Sequence, residues 1–166
     1  MQSKNTSSPL YEVHVEQQVP IPMADGTILR ADVYRPSAVG QYPVLVERVA
    51  YELEGRCRYA GEYYASRGYV VVRQNVRGRF ASDGEFVPFR DDGWSGHRDG
   101  YDIILWAGKQ PWSNGAVGML DGSYSGGTQY LLAPTQPVFL KALFVREGMS
   151  DMYRDIAFRG EPINWY

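Results

Sequence analysis

Apolar and polar residues change rhythm several times along this chain, and each rhythm predicts an element. In "YEVHVEQQVPIP" (11–22) the alternation at Val13, Val15 and Gln17 is the two-residue period of a strand. "ADGT" follows, and its Asp25-Gly26 pair is a tight-turn signal. "ILRADVYRP" returns as a second strand, with Leu29, Ala31 and Val33 alternating with polar residues. "YPVLVERV" (42–49) and "YVVVRQNV" (69–76) are apolar strands, and "RYAGEYYASRG" (58–68) between them reads as a helix that stops at Gly68. "RGRFASDGEF" (77–86) is a glycine-containing loop. Over 93–110 the helical period places Trp94, His97 or Arg98, Tyr101, Ile104 and Leu105 on one face. "GAVGML" is a strand, "TQYLLA" a helix-like segment, and "LKALFVREG" (140–148) a last strand.

The order is therefore a β-hairpin, then β, α, β, α, β, turn, α, β. Strands alternating with helices predict an α/β fold, a mostly parallel sheet with helices on both faces and an antiparallel hairpin in front. In such sheets functional groups collect at the carboxyl ends of strands. Tyr51, the loop 77–86 and the stretch 118–127 all fall there. At 166 residues the chain is long enough for one domain with its own core. We expect residues 1–10 to be a disordered tail and 11–166 the folded unit. A net charge of −2 gives no electrostatic footprint for nucleic acid or an anionic membrane surface. Cys57 is the sole cysteine, which excludes an internal disulfide framework and a multi-cysteine metal site. The opening "MQSKNTSSPL" has no apolar signal core, and no run approaches the ~18 apolar residues of a membrane helix, so the expectation is a cytoplasmic protein. An "NTS" triplet at Asn5 matches the glycosylation acceptor pattern, one that arises often by chance.

The chemistry concentrates in "GMLDGSYSGG" (118–127), where an apolar strand breaks into small and polar residues before a helix. A nucleophilic serine needs such a turn: it lifts the hydroxyl clear of the sheet, and small neighbours let strand and helix approach. Backbone N–H groups at the helix start then face a developing oxyanion. The usual spacing is G-x-S-x-G. Counted from Ser123, Asp121 stands at −2 and Ser125 at +2; counted from Ser125, Ser123 stands at −2 and Gly127 at +2. Local sequence leaves both serines open, together with a plain glycine-rich turn carrying solvated serines.

The ordered set "PVLVERVAY", "RGYVVVRQNVRGRFASDGEFVPF", "DGYDIILW", "QPWSNGAVGML" and "GSYSGGTQY" resembles the cocaine-esterase and Xaa-Pro dipeptidyl-peptidase (CocE/NonD) family of α/β-hydrolases. "VPIPMADGTILRADVYRP" is similar to that family's opening hairpin. The family's elbow reads G-x-S-Y-x-G, which implies Ser123 as nucleophile, Tyr124 next and Gly126 three after. Asp121 departs from it, standing where the family usually has glycine; a side chain there strains the turn, and its carboxylate disfavours a nearby oxyanion. The resemblance also implies that the Tyr51 hydroxyl and the Tyr124 backbone N–H stabilise the oxyanion, with Ala50 in place of a common proline. The loop 77–86 takes a structural role, with Ser82, Asp83 and Gly84 making a turn and Arg77 expected to pair with Asp91 or Asp92.

Acyl transfer needs a base to take the serine proton and an acid to orient that base, in the chain order Ser, Asp or Glu, His. The two histidines, His14 and His97, both precede Ser123. The expectation is the N-terminal portion of a serine hydrolase of ester or amide bonds, ending after about the sixth strand, with the triad Asp and His and the cap absent and no cofactor or metal implied. By itself such a chain is expected to be inactive and to self-associate through the unpaired edge of "LKALFV" and the Trp165-Tyr166 ending. A non-catalytic binding or assembly module and an acyltransferase on the same scaffold are the alternatives. A nucleophilic Asp121 is disfavoured by Met119 at its −2 position.

Overall fold

A computed structural model describes residues 7–53, 56–149, 151, 153 and 154 of the chain, without the side chains of 56–58. Its elements in chain order are β1 (Val13–Pro22), β2 (Ile28–Pro36), β3 (Tyr42–Val49), α1 (Arg56–Ala65), β4 (Val70–Asn75), α2 (Asp99–Lys109), β5 (Ser113–Gly122), α3 (Ser123–Leu132), a 3-10 turn (Ala133–Thr135) and β6 (Leu140–Arg146). The strands form one sheet in the order β1-β2-β4-β3-β5-β6. β1 with β2 and β2 with β4 are antiparallel, and the β4–β3, β3–β5 and β5–β6 pairs are parallel.

The strands read as expected because their patterns meet two packed faces. On one face Val44, Val46, Val70, Val72, Val117 and Met119 pack with Ile103, Ile104 and Ala107 of α2 and Leu132 of α3. On the other, Val71 and Tyr34 pack with Ala65 of α1. All six residues of β4 are buried, as a strand covered on both faces must be. Fully burying each such aliphatic side chain contributes ~1.5–3 kcal/mol, the main stabilising term here.

Three details differ from the pattern or extend it. The helix expected from 93 begins at Asp99, and its buried face is Gly100, Ile103, Ile104, Ala107 and Gly108. Trp94 is 68% exposed and His97 lies in the preceding loop. The segment 93–98 contains two glycines and a serine, poor helix formers, and Asp99 is the point where the backbone docks, its N–H donating to the Asp91 carbonyl (2.9 Å). Strand β1 carries a bulge between Glu16 and Val19, with Gln18 at φ +55° and its N–H donating to Asp32 Oδ1 (2.9 Å). From Ser7 onward the N-terminal segment is tied to the end of α1: Leu10 N–H donates to the Ser66 carbonyl (2.7 Å), and Arg67 Nε to the Ser7 carbonyl (2.9 Å). Asn5, the Cys57 side chain and Trp165-Tyr166 lie outside what is described.

Candidate active site

The strand-to-helix turn at 121–123 is sharp. β5 ends at Gly122 and α3 starts at Ser123 with no residue between them. Asp121 sits at φ +99° and Ser123 at φ +54°, both in the left-handed region that side chains resist. Gly122 between them is extended. A β-carbon at Gly122 would lie 2.5 Å from the Arg146 carbonyl oxygen, and one at Gly126 would lie 2.9 Å from Gly148 Cα. The close approaches to backbone therefore fall at −1 and +3 from Ser123, and a β-carbon at Gly127, at +4, would meet the Phe89 ring at 2.8 Å. These are where this sequence places glycine, whereas −2 carries the strained Asp121.

The turn separates its two serines. Ser123 is exposed and borders a cavity of about 580 Å³ that Tyr51, Tyr59, Glu47 and Arg146 also line. Ser125 is 3% exposed, and its hydroxyl donates to Glu47 Oε1 (3.3 Å). Tyr51 lies two residues past the end of β3, is 54% exposed, and meets the Tyr124 ring edge-on at 6.3 Å. Its position is fixed through its carbonyl, which accepts from Asn75 Nδ2 (2.8 Å). Tyr124 is buried, stacked on Phe89 at 4.3 Å, and its hydroxyl accepts from the Phe89 N–H (3.4 Å). Burial, reinforced by the Asp92 charge, pushes the Tyr124 hydroxyl up to about 12. No side chain caps the start of α3. Among the described residues, Tyr51 and the turn 122–124 thus share one end of the sheet, while the two histidines do not join them. His14 lies on β1 with Nε2 3.6 Å from Glu16, and His97 Nδ1 lies 3.0 Å from Asp25 Oδ2. Neither lines the cavity.

The loop 77–86 is built as a brace. Ser82 Oγ donates to the Asn75 carbonyl (2.9 Å) and accepts from Arg30 N–H (2.9 Å). Arg77 pairs with neither Asp91 nor Asp92. Its Nε and Nη2 fork onto Asp99 (3.0 and 2.6 Å), and its Nη1 reaches Asp25 (2.9 Å) and Thr27 Oγ1 (2.7 Å). Asp92 is taken instead by Arg48, and Asp91 by Arg90 at 2.9 Å. The Asp25-Gly26 turn and the α2 terminus lie nearer to Arg77 than sequence distance suggests.

Sequence reading missed one group. Beneath the turn, Arg73 Nη2 pairs with Glu47 Oε2 (2.6 Å), and Arg146 Nη2 pairs with Asp121 Oδ1 (2.6 Å). The signal was present: Glu47 and Arg73 interrupt apolar runs that must be buried, and charges in such positions require partners. Among the described residues no cluster of His, Cys, Asp and Glu has the grouping of a metal site. No described helix is long and apolar enough to cross a membrane.

Comparison with known proteins agrees with this architecture. The cocaine esterase of Rhodococcus sp. (strain MB1 Bresler) is 39% identical over 145 residues, covering 84% of this chain and 25% of that protein. The crystal structure of a CocE/NonD family hydrolase from Staphylococcus aureus superposes with a TM-score of 0.78 at 30% identity, over 87% of this chain and 29% of that one. An α-amino acid ester hydrolase gives 0.75 at 27% identity, over 92% of this chain and 28% of that one. The chain spans about a quarter of the length of the curated relatives it matches. Its sheet and helices are those of the N-terminal region of an α/β-hydrolase fold. Residues 25–165 match the X-Pro dipeptidyl-peptidase (S15) family, and the chain belongs to that family.

Proposed function

We propose that this chain is the nucleophile-bearing, N-terminal portion of a serine hydrolase catalytic domain that cuts ester or amide bonds through an acyl-enzyme. Ser123 attacks the carbonyl carbon, the carbonyl π-electrons move to oxygen, and the serine proton leaves to a base. The Tyr51 hydroxyl and the Tyr124 backbone N–H donate to the oxyanion, collapse expels the alcohol or amine as the base returns the proton to its oxygen or nitrogen, and water, giving its proton to the same base, then repeats the sequence on the acyl-serine. The observation that carries this reading is the turn itself: Ser123 is the exposed first residue of α3, at φ +54°, facing a cavity, while Ser125 is buried and engaged by Glu47. The names of the relatives, an esterase and an ester hydrolase, support the same reaction class. No described residue stands as base for Ser123, so the base and its orienting acid are assigned to residues beyond those described.

A fluorophosphonate probe tests the assignment in a longer chain that supplies the base. The phosphonyl adduct is expected on Ser123, lost in Ser123→Ala and retained in Ser125→Ala. An adduct on Ser125, or its loss in a folded Ser125→Ala variant, overturns the assignment. The second reading, a binding module without catalysis, is favoured by the Asp121 carboxylate, whose charge opposes a neighbouring oxyanion. It requires that no adduct form even with the base supplied.

A further inference from the structure

Charged and hydroxyl groups from five elements converge under the turn: Glu47 of β3, Arg73 of β4, Asp121 of β5, Ser125 of α3 and Arg146 of β6. Residue 121 sits at φ +99°, where a β-carbon is a burden that glycine would not carry, so something must hold it there. Its side chain shows what does. Asp121 Oδ1 accepts from the Gly122 N–H (2.8 Å), closing a local ring, and from Arg146 Nη2 (2.6 Å). The carboxyl shares a cavity wall with that of Glu47 and interacts with it. Two carboxyls in that contact share one proton, because neither lone-pair oxygen donates without it. Glu47 is anchored in turn by Arg73 (2.6 Å) and by the Ser125 hydroxyl (3.3 Å).

We propose that Glu47, Arg73 and Arg146 are positioning residues that clamp the Asp121 side chain and so hold the serine turn in its left-handed shape, and that one proton shared by Glu47 and Asp121 closes the clamp. The groups facing Glu47 are Arg73, Asp121 and Ser125. Tyr51, Tyr59, Arg146 and Glu147 complete the charged and titratable groups of the cavity wall. Burial pushes the Glu47 carboxyl up to about 8, and the Asp121 carboxyl adds to the rise against the pull of Arg73 and Ser125. For Asp121 burial acts upward but is outweighed by the bonds from Glu47 and Arg146, so its carboxyl lies below the ordinary range. The proton therefore resides on Glu47 at neutral pH, and Asp121 is the anion that Arg146 holds. Because Glu47 binds its proton more tightly folded than unfolded, its contribution is full below its ordinary value of 4.5 and is lost as pH rises to about 8. Beyond that, two carboxylates face each other and the turn loosens.

This inference rests on the reading of Ser123 as nucleophile only for its consequence, since a loosened turn moves that hydroxyl. Its test needs no turnover. Amide hydrogen exchange at Gly122, Ser123 and Tyr124, corrected for intrinsic rate, is measured on the 166-residue chain from pH 5.5 to 9. The Glu47 carboxyl is titrated alongside by 13C NMR. The wild-type chain is expected to lose protection at these amides by roughly tenfold or more across that range. Glu47→Gln, which donates to Asp121 without titrating, is expected to keep its protection at every pH. Asp121→Gly, which takes a positive φ freely, is expected to show no pH dependence. Wild-type pH dependence surviving in Glu47→Gln overturns the proposal. Should that variant not fold, the wild-type titration decides alone: a Glu47 midpoint near 8 supports the clamp, and one near 4.5 overturns it. Failure of Ser123 to take a fluorophosphonate leaves these readouts intact, so the two readings fail separately.

Discussion

Replacing Asp99 by asparagine is expected to be among the most damaging changes of similar size in this chain. Its side chain is fully buried at the first residue of α2, and its two oxygens take the fork of Arg77, with Arg48 Nη2 at 3.7 Å. Both guanidiniums are themselves buried, at 1% exposure for the Arg48 side chain and 7% for Arg77. Asparagine keeps the volume but removes the charge, and it turns one acceptor into an amide N–H that faces a guanidinium N–H. Arg48 retains Asp92 and Arg77 retains the half-exposed Asp25, so two interior cations are left with one interior anion. Breaking a buried pair from one side costs about 3–5 kcal/mol. A domain of 166 residues has an unfolding entropy of roughly 0.35 kcal/mol/K at its midpoint, so the melting temperature should fall by about 9–14 °C. Urea unfolding at pH 7, followed by circular dichroism, reads the same loss as a lower midpoint with an unchanged slope. Asp102→Asn is the control. It makes the same charge change in the same helical turn, but among the described residues its carboxylate accepts a single, exposed bond, from Ala24 N–H, and it should cost under ~1 kcal/mol. Equal losses for the two variants would refute the claim that burial of the Arg48–Asp99–Arg77 cluster, and not the helix terminus, sets the cost.

Three further outcomes are expected. Gly122→Ala places a methyl 2.5 Å from the Arg146 carbonyl, so β6 and the turn must separate; a stability loss of about 1–3 kcal/mol is expected, with loss of probe labelling in the longer chain that supplies the base, and a variant that melts and labels like wild type there would contradict the close approach. Tyr51→Phe, in a longer chain that supplies the base, should lower turnover by about 10²–10³ with little change in KM; an unchanged kcat would reduce Tyr51 to a packing residue. The 166-residue chain is expected to associate through β6, an edge strand carrying Phe144 at 64% exposure, and light scattering that reports a monomer at every concentration would remove that expectation.

Much of the fold was legible because strand periods and turn residues act locally. The alternation of Leu29, Ala31 and Val33 and the apolar run 70–72 each state which faces are covered, and the faces are covered. The serine turn was legible in the same way, as glycines beside a break in an apolar strand. The start of α2 was not, because a helical period continued backward through Trp94 fits the residue types, while the backbone bond from Asp99 to Asp91 that sets the boundary has no periodic trace. The partner of Arg77 was misread for a related reason. Asp91 and Asp92 are nearer in sequence, but Asp99 lies 22 residues away and Asp25 lies 52, and only the packing of α2 against the hairpin turn brings them together. The clamp under the turn escaped notice because each of its charges sits on a different strand. In sequence Glu47 and Arg73 look like interruptions; across paired strands they are directly opposite.

That opposition bears on how the chain finds its pairing. Glu47 and Arg48 are consecutive on β3, so one faces Arg73 and Asp121 on one side of the sheet and the other faces Gln74, Asp92 and Asp99 on the opposite side. An apolar β3 could slide by one residue against β4 and still bury valine and leucine on both faces. With this dipeptide it cannot: the slip would turn Glu47 toward two buried aspartates and Arg48 toward Arg73. The slip would part Arg48 from Asp92 and Asp99 and part Glu47 from Arg73, and breaking buried pairs costs several kcal/mol. Two adjacent ionisable residues with partners on opposite faces thus make the central strand of an otherwise greasy sheet unambiguous, so that alignment errors are rejected during folding before any site is assembled.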